Sequence, residues 1–90
     1  MSVRINLNST LVQFTNDQAV AEVNGSTVGE CLGELVRQFP RIKPVLFDKS
    51  GKLFNYVDVY VNHESSYPEE LAKPVRDGDE LHITIIIAGG

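Results

Sequence analysis

One stretch of this chain, Thr27 to Phe39, repeats apolar side chains at helical spacing, and the clearest patterns around it alternate instead. Val28, Leu32, Leu35, Val36 and Phe39 fall on one stripe, Glu30, Glu34 and Arg37 lie opposite, and Cys31 sits at the stripe's edge. Thr27 and Glu30 read as a capping box, each side chain answering an amide left unpaired at the helix start. Pro40 stops the helix, since it has no amide hydrogen and clashes with the preceding turn. Gly29 and Gly33 each weaken it by about 1 kcal/mol relative to alanine, so docking must hold it in place. A lone amphipathic helix needs a surface on which to bury its stripe, and here that surface is a sheet.

Val3, Ile5 and Leu7 alternate with Arg4 and Asn6 as in a half-buried strand. A second strand is expected at Ala19–Val23, ended by Asn24-Gly25, after a loop of roughly ten residues typical of a longer hairpin. Residues 41–53 read as irregular, with Ile42, Val45, Leu46 and Phe47 tucked under the core edge. Val57, Val59 and Val61 then alternate with Asp58 and Tyr60, and Asn62-His63-Glu64 turns the chain. A short strand is expected to lead through Leu71 and Val75. After the turn Asp77-Gly78-Asp79, a last strand carries Leu81, Ile83, Ile85 and Ile87 on one face and His82, Thr84 and Ile86 on the other. The expected fold is α+β: a mixed sheet of four to five strands with one main helix across one face, the β-grasp (ubiquitin-like) roll. The expected core is Val3, Ile5, Leu7, Val28, Leu32, Leu35, Val36, Val57, Val59, Val61, Leu81, Ile83 and Ile85.

Ninety residues make one domain, 1–90, with room for one modest core. The formal charge of −4 argues against nucleic acid, whose binders need a basic face to displace counterions. No apolar run is long enough to span a membrane, the first residues lack a signal-peptide pattern, and one cysteine excludes an internal disulfide, so a cytoplasmic setting is expected. Metal chemistry has little support. His63 and His82 are expected to be far apart, one a solvated turn residue and the other on the sheet surface, neither with a partner at ligand spacing. Cys31 has no histidine near it in the pattern and reads as a small apolar filler. Gly25, Gly29 and Gly33 recur every four residues but lack the Lys and Ser/Thr of a phosphate loop. Asp77, Asp79 and Glu80 offer too few converging oxygens for calcium and read as a solvated turn.

The end of the sequence, Ile85-Ile86-Ile87-Ala88-Gly89-Gly90, carries the remaining signal. Composition alone would accept a frayed end. A segment without Cβ atoms can also be drawn extended through a passage that any side chain would block. Three residues beyond Ile87 reach about 10 Å, enough to place a terminal carboxylate in another protein's pocket while the body stays outside.

The chain resembles the ThiS/MoaD family of ubiquitin-like sulfur carriers over essentially its whole length. The likeness rests on Thr27-Val28-Gly29-Glu30 through Phe39-Pro40, Gly51-Lys52-Leu53 leading into Val57–Asn62, Asp77-Gly78-Asp79-Glu80, and Ala88-Gly89-Gly90. Within the family it is most similar to the CysO-like carriers of cysteine biosynthesis, then to MoaD-like small subunits of molybdopterin synthase. Where many relatives have prolines before the diglycine, this chain has Ile85, Ile86 and Ile87. The resemblance implies a carrier rather than an enzyme, with no bound cofactor. A separate E1-like adenylyltransferase (MoeB/ThiF-like) would use ATP and magnesium to adenylate Gly90, and a sulfur donor would convert it to a thiocarboxylate. Gly89 and Ala88 would supply clearance. A sulfur-accepting enzyme, cysteine-synthase-like or the large subunit of molybdopterin synthase, would receive the sulfur, and a zinc metalloprotease would release product. Tyr60, Thr84 and Ile86, apolar members of the uncovered sheet face by parity, are the expected partner contacts; packing of Tyr60 on Thr84 within the sheet is the alternative. Two other functions stay open: a modifier joined through Gly90 to lysines, and a binding module whose diglycine is incidental.

Overall fold

A computed structural model of the chain describes residues 2–85. Its elements run β1 (Ser2–Leu7), β2 (Val20–Asn24), α1 (Val28–Gln38), the helical turn α2 (Lys43–Leu46), β3 (Val57–Val61), β4 (Glu64–Ser65) and β5 (Glu80–Ile85). The strands form one mixed sheet in the order β2-β1-β5-β3-β4. β1 and β5 are parallel, with Ile5 opposite Leu81 and Leu7 opposite Ile83; the other pairs are antiparallel. This is the expected β-grasp roll.

Parity does the sorting. Val3, Ile5 and Leu7 of β1, Val57, Val59 and Val61 of β3, and Leu81 and Ile83 of β5 are buried beneath α1, which contributes Val28, Cys31, Leu32 and Leu35. Val36 and Ile85, expected in the core, are only partly buried at its margin. Leu11, Ala21, Val23, Ile42, Leu46 and Val75 complete the core.

The capping box forms in a shifted version. Thr27 Oγ1 accepts the Glu30 amide at 3.1 Å, but the Glu30 carboxylate reaches back to Ser26, accepting its amide and its hydroxyl at 2.8 Å each. Ser26 offers two donors to one carboxylate oxygen, and those bonds hold the Glu30 carboxyl below its ordinary pKa. At the other end Phe39 caps α1 and Pro40 opens a 3₁₀ turn.

Two loop expectations are corrected. Residues 41–53 are not irregular throughout: the 3₁₀ turn Pro40–Ile42 runs into α2, which drives Ile42 and Leu46 fully into the core. The short strand lies at Glu64–Ser65, directly after the turn at Asn62-His63, whose left-handed φ values of 49° and 73° reverse the chain at once. Leu71 instead belongs to a 3₁₀ turn, Glu70–Ala72, laid against α1. Gly29 permits that approach, because a Cβ there would stand 3.0 Å from the Leu71 carbonyl oxygen. The loop between β1 and β2 buries Leu11 and also Thr15, whose hydroxyl donates to the Gln18 carbonyl at 2.8 Å.

Candidate functional site

The helix covers one face of the sheet, which leaves the other to solvent. Along the three central strands that open face carries Arg4 and Asn6 of β1, Glu80, His82 and Thr84 of β5, and Asp58 and Tyr60 of β3. Asn6 lies opposite His82 on one side of β5, and Tyr60 lies opposite His82 on the other. Tyr60 therefore faces His82 across the ladder and not Thr84, which pairs with Asp58 and is a diagonal neighbour of Tyr60. Tyr60 and Thr84 are brought onto one half-exposed patch, as parity required. Ser65 Oγ donates to Asp58 Oδ1 at 3.1 Å, and Asn6 Nδ2 donates to Glu80 Oε2 at 3.2 Å, so polar side chains on the face are partly tied to each other.

The two histidines overturn an expectation. His63 and His82 are neighbours, their ring centroids 5.1 Å apart, because antiparallel pairing of β3 and β5 sets the β3–β4 turn beside the first half of β5. His82 Nε2 is buried without a hydrogen-bond partner among the described residues. Proximity across a ladder depends on register, which residue spacing along the chain does not report. The two rings are tilted by 31° to each other, and His82 lies opposite Tyr60 in the ladder. Among the described residues no three His, Cys, Asp or Glu side chains gather as a metal site would require.

Cys31 is fully buried, and burial pushes its thiol up, with the Glu30 carboxylate adding to the effect. A raised, enclosed thiol is a poor nucleophile, in keeping with a filler. The turn at Asp77-Gly78-Asp79 is structural: Ser2 N donates to Asp77 Oδ1 at 2.7 Å and Gly78 N donates to the Ser2 carbonyl at 2.8 Å. Gly78 adopts φ +87°, a conformation that favours glycine. Asn62 Nδ2 donates to Asp79 Oδ1 at 2.9 Å, and this bond with that from the Arg76 amide holds the Asp79 carboxyl below its usual range.

β5 lies between β1 and β3, and its last described residue, Ile85, pairs with Val57, the first of β3. Ile86, Ala88, Gly89 and Gly90, the other residues singled out by sequence, lie outside the described residues. The sequence pattern that defines the ThiS family matches residues 5–90. The chain belongs to the ThiS family. This ThiS-family chain is 32% identical over 93 aligned residues to the sulfur carrier protein CysO of Mycobacterium tuberculosis, with 100% of both chains covered. Its fold superposes on a chain of the Amycolatopsis orientalis BexX/CysO complex with a TM-score of 0.88, at 31% identity over 98% of this chain and 99% of that one. It also superposes on SAMP1 of Haloferax volcanii, a small archaeal modifier protein, with a TM-score of 0.88 at 26% identity over 100% of both chains. No described helix is long and apolar enough to cross a membrane.

Proposed function

We propose that this protein is a sulfur carrier, serving cysteine biosynthesis, whose Gly90 carboxylate is the group that is activated and loaded. The single observation that supports this most is the alignment with CysO, which runs through the full length of both chains and so brings Gly89-Gly90 into register with the carrier's own end. The geometry of the body agrees. A tail needs a rigid base, and β5 is held by β1 as far as Ile83 and by β3 as far as Ile85. The five residues after Ile85 could span at most about 18 Å, enough to reach a recessed pocket.

A carboxylate resists nucleophiles because of its charge and its poor leaving group. A separate E1-like adenylyltransferase, using ATP and magnesium, overcomes this: a Gly90 oxygen attacks the α-phosphorus, pyrophosphate leaves, and an acyl-adenylate forms. A sulfur donor displaces AMP and leaves a thiocarboxylate. The protein itself contributes no acid or base. Its part is positional, since binding energy from the body holds the loaded end at the reacting centre. Gly89 and Ala88 give clearance in the channel, while Tyr60, Thr84 and Ile86 form the apolar part of the docking surface. The acceptor is a cysteine-synthase-like enzyme, and a zinc metalloprotease releases the product. The A. orientalis complex, in which a CysO is bound to BexX, supports docking of the body on a partner protein.

Intact-mass measurement after incubation with the activating enzyme, ATP and a sulfur source tests the proposal. Exchange of one oxygen for sulfur at Gly90 is expected; no exchange with any cognate activator overturns it. The likeness to the archaeal modifier favours a second reading, in which Gly90 is joined to lysines of other proteins. High-mass conjugates of a tagged chain in cell lysate, absent when one residue is added after Gly90, would favour that reading. Molybdopterin synthase remains the third destination, on likeness of fold.

A further inference from the structure

The end of the sheet at which β5 finishes carries a feature that the carrier chemistry does not use. Ile85 pairs with Val57, and Val57 donates its amide to the Phe54 carbonyl at 3.0 Å, so the segment before β3 flanks the finish of β5. That segment and α2 enclose an open groove lined by Lys43, Pro44, Phe47, Asp48, Lys49 and Phe54. Its floor is built securely. Leu46 beneath it is fully buried, Phe47 bridges to Leu53, and the Phe54 amide donates to the Leu46 carbonyl at 3.0 Å. Phe54 stacks on Tyr56 with ring centroids 5.0 Å apart, which fixes one wall.

The charge around this groove runs against that of the molecule. The whole chain is at −4, yet residues 41–52 hold four of its eight cations and one carboxylate, Asp48. That carboxylate is tied into its own turn and stays ionised, leaving the segment at a net +3: Asp48 Oδ1 accepts the Ser50 hydroxyl at 2.7 Å, the Ser50 amide at 2.8 Å and the Lys52 amide at 3.1 Å. Arg41 lies over the Phe14 ring, 5.9 Å from its centroid, and Lys52 borders a neighbouring hollow shared with Glu69 and Glu70. Lys43 and Lys49 remain at the groove, exposed and without an ion pair among the described residues. An apolar trough with two uncommitted ammonium groups at its rim, on an acidic protein, is complementary to a segment of opposite sign carrying an apolar side chain.

We propose that this groove docks an acidic segment of the protein that receives the loaded tail, with a leucine- or phenylalanine-sized side chain of that segment seated between Phe47, Phe54 and Pro44. The proposal rests on the carrier reading for the identity of the partner, but its recognition chemistry does not. Attraction between the lysines and the partner's carboxylates turns the groove end of the carrier toward the receiving channel, because at the opposite end Glu22, Asp77, Asp79 and Glu80 outnumber Arg4 and Arg76.

Titration of the isotope-labelled full chain with a short acetylated peptide of aspartates and glutamates interrupted by one phenylalanine tests this by amide chemical shifts. Shifts concentrated in residues 43–54 are expected, with affinity falling as salt is raised. The Lys43→Glu/Lys49→Glu variant should weaken binding about tenfold or more. The milder Lys43→Ala/Lys49→Ala variant, checked by its own amide spectrum, should weaken it less and guards against misfolding. The proposal fails if shifts fall instead on Tyr60 and Thr84, if none occur at the highest peptide concentration, if both variants bind as the parent does, or if a lysine-for-acid peptide binds equally well. It also fails if the same residues shift on concentrating the chain alone, which would make a second copy the occupant. Oxygen-for-sulfur exchange at Gly90 is measured without this peptide, so failure there removes the carrier reading and leaves the groove result standing.

Discussion

The two ends of β5 are built on opposite plans. Where the strand begins, side chains and backbone cross-tie it to its neighbours: Asn62 N donates to the Glu80 carbonyl at 2.8 Å, Glu80 N donates to Asn62 Oδ1 at 2.9 Å, and Asp79 joins Asn62 to Arg76. Where it finishes, at Ile85, the neighbouring surface is an apolar groove rimmed by lysines with no ion pair among the described residues. One end is closed on itself and acidic, the other open and locally basic. The side-chain cross-ties of β5 are thus gathered at its start, away from the groove.

The largest test of this contrast is Leu46→Ala, which removes the buried side chain beneath the groove. It should destabilise by about 3 kcal/mol and abolish the local shifts produced by the acidic peptide, both read from denaturant unfolding and amide spectra. Asn62→Ala attacks the other end by removing its side-chain bonds to Asp79 and Glu80. A loss of about 1–2 kcal/mol is expected, together with faster hydrogen exchange at the start of β5 and unchanged peptide binding. Equal protection at both ends of β5 in the parent protein would contradict the contrast.

Acid titration gives a smaller signal. Asp79 at the closed end and Asp48 at the open end both have carboxyls held below their ordinary value of 3.8, Asp79 by Asn62 and Arg76, Asp48 by Ser50 and Lys52. Each favours the folded state while ionised. That contribution is complete above the unfolded value and is lost as pH falls below about 3.8 through the lowered folded value. Asp79→Asn and Asp48→Asn should each flatten the loss of stability on acidification, and a slope unchanged in both would refute the assignment. Smallest of all, Lys43→Glu/Lys49→Glu should change stability by no more than about 0.5 kcal/mol, which separates a recognition role from a structural one.

The helix-covered face was legible because burial enforces a period: the valines of β3 and the alternating residues of β1 and β5 could occupy no other side without exposing a row of branched side chains. Val36 and Ile85 matched the same periods and still ended half-buried, since periodicity gives direction and says nothing about distance from the margin. The open face was legible only by parity. Which residues meet across it, His82 with Tyr60 and with His63, follows from strand register, set by Val61 opposite Leu81 and by the left-handed turn after β3. The groove left a weaker trace, the crowding of lysines between residues 41 and 52. Short helical turns, here one of four residues, give no repeat to recognise.

β1 and β5 are neighbours in the sheet although more than seventy residues separate them along the chain, and β5 also completes β3. The hairpin of β1 and β2 and the pair β3 and β4 are therefore joined within the sheet only through β5. Closing the sheet waits on residues 80–85, a contact of high sequence separation. A product truncated before residue 80 would accordingly lack the strand that joins the two pairs and could not complete this sheet.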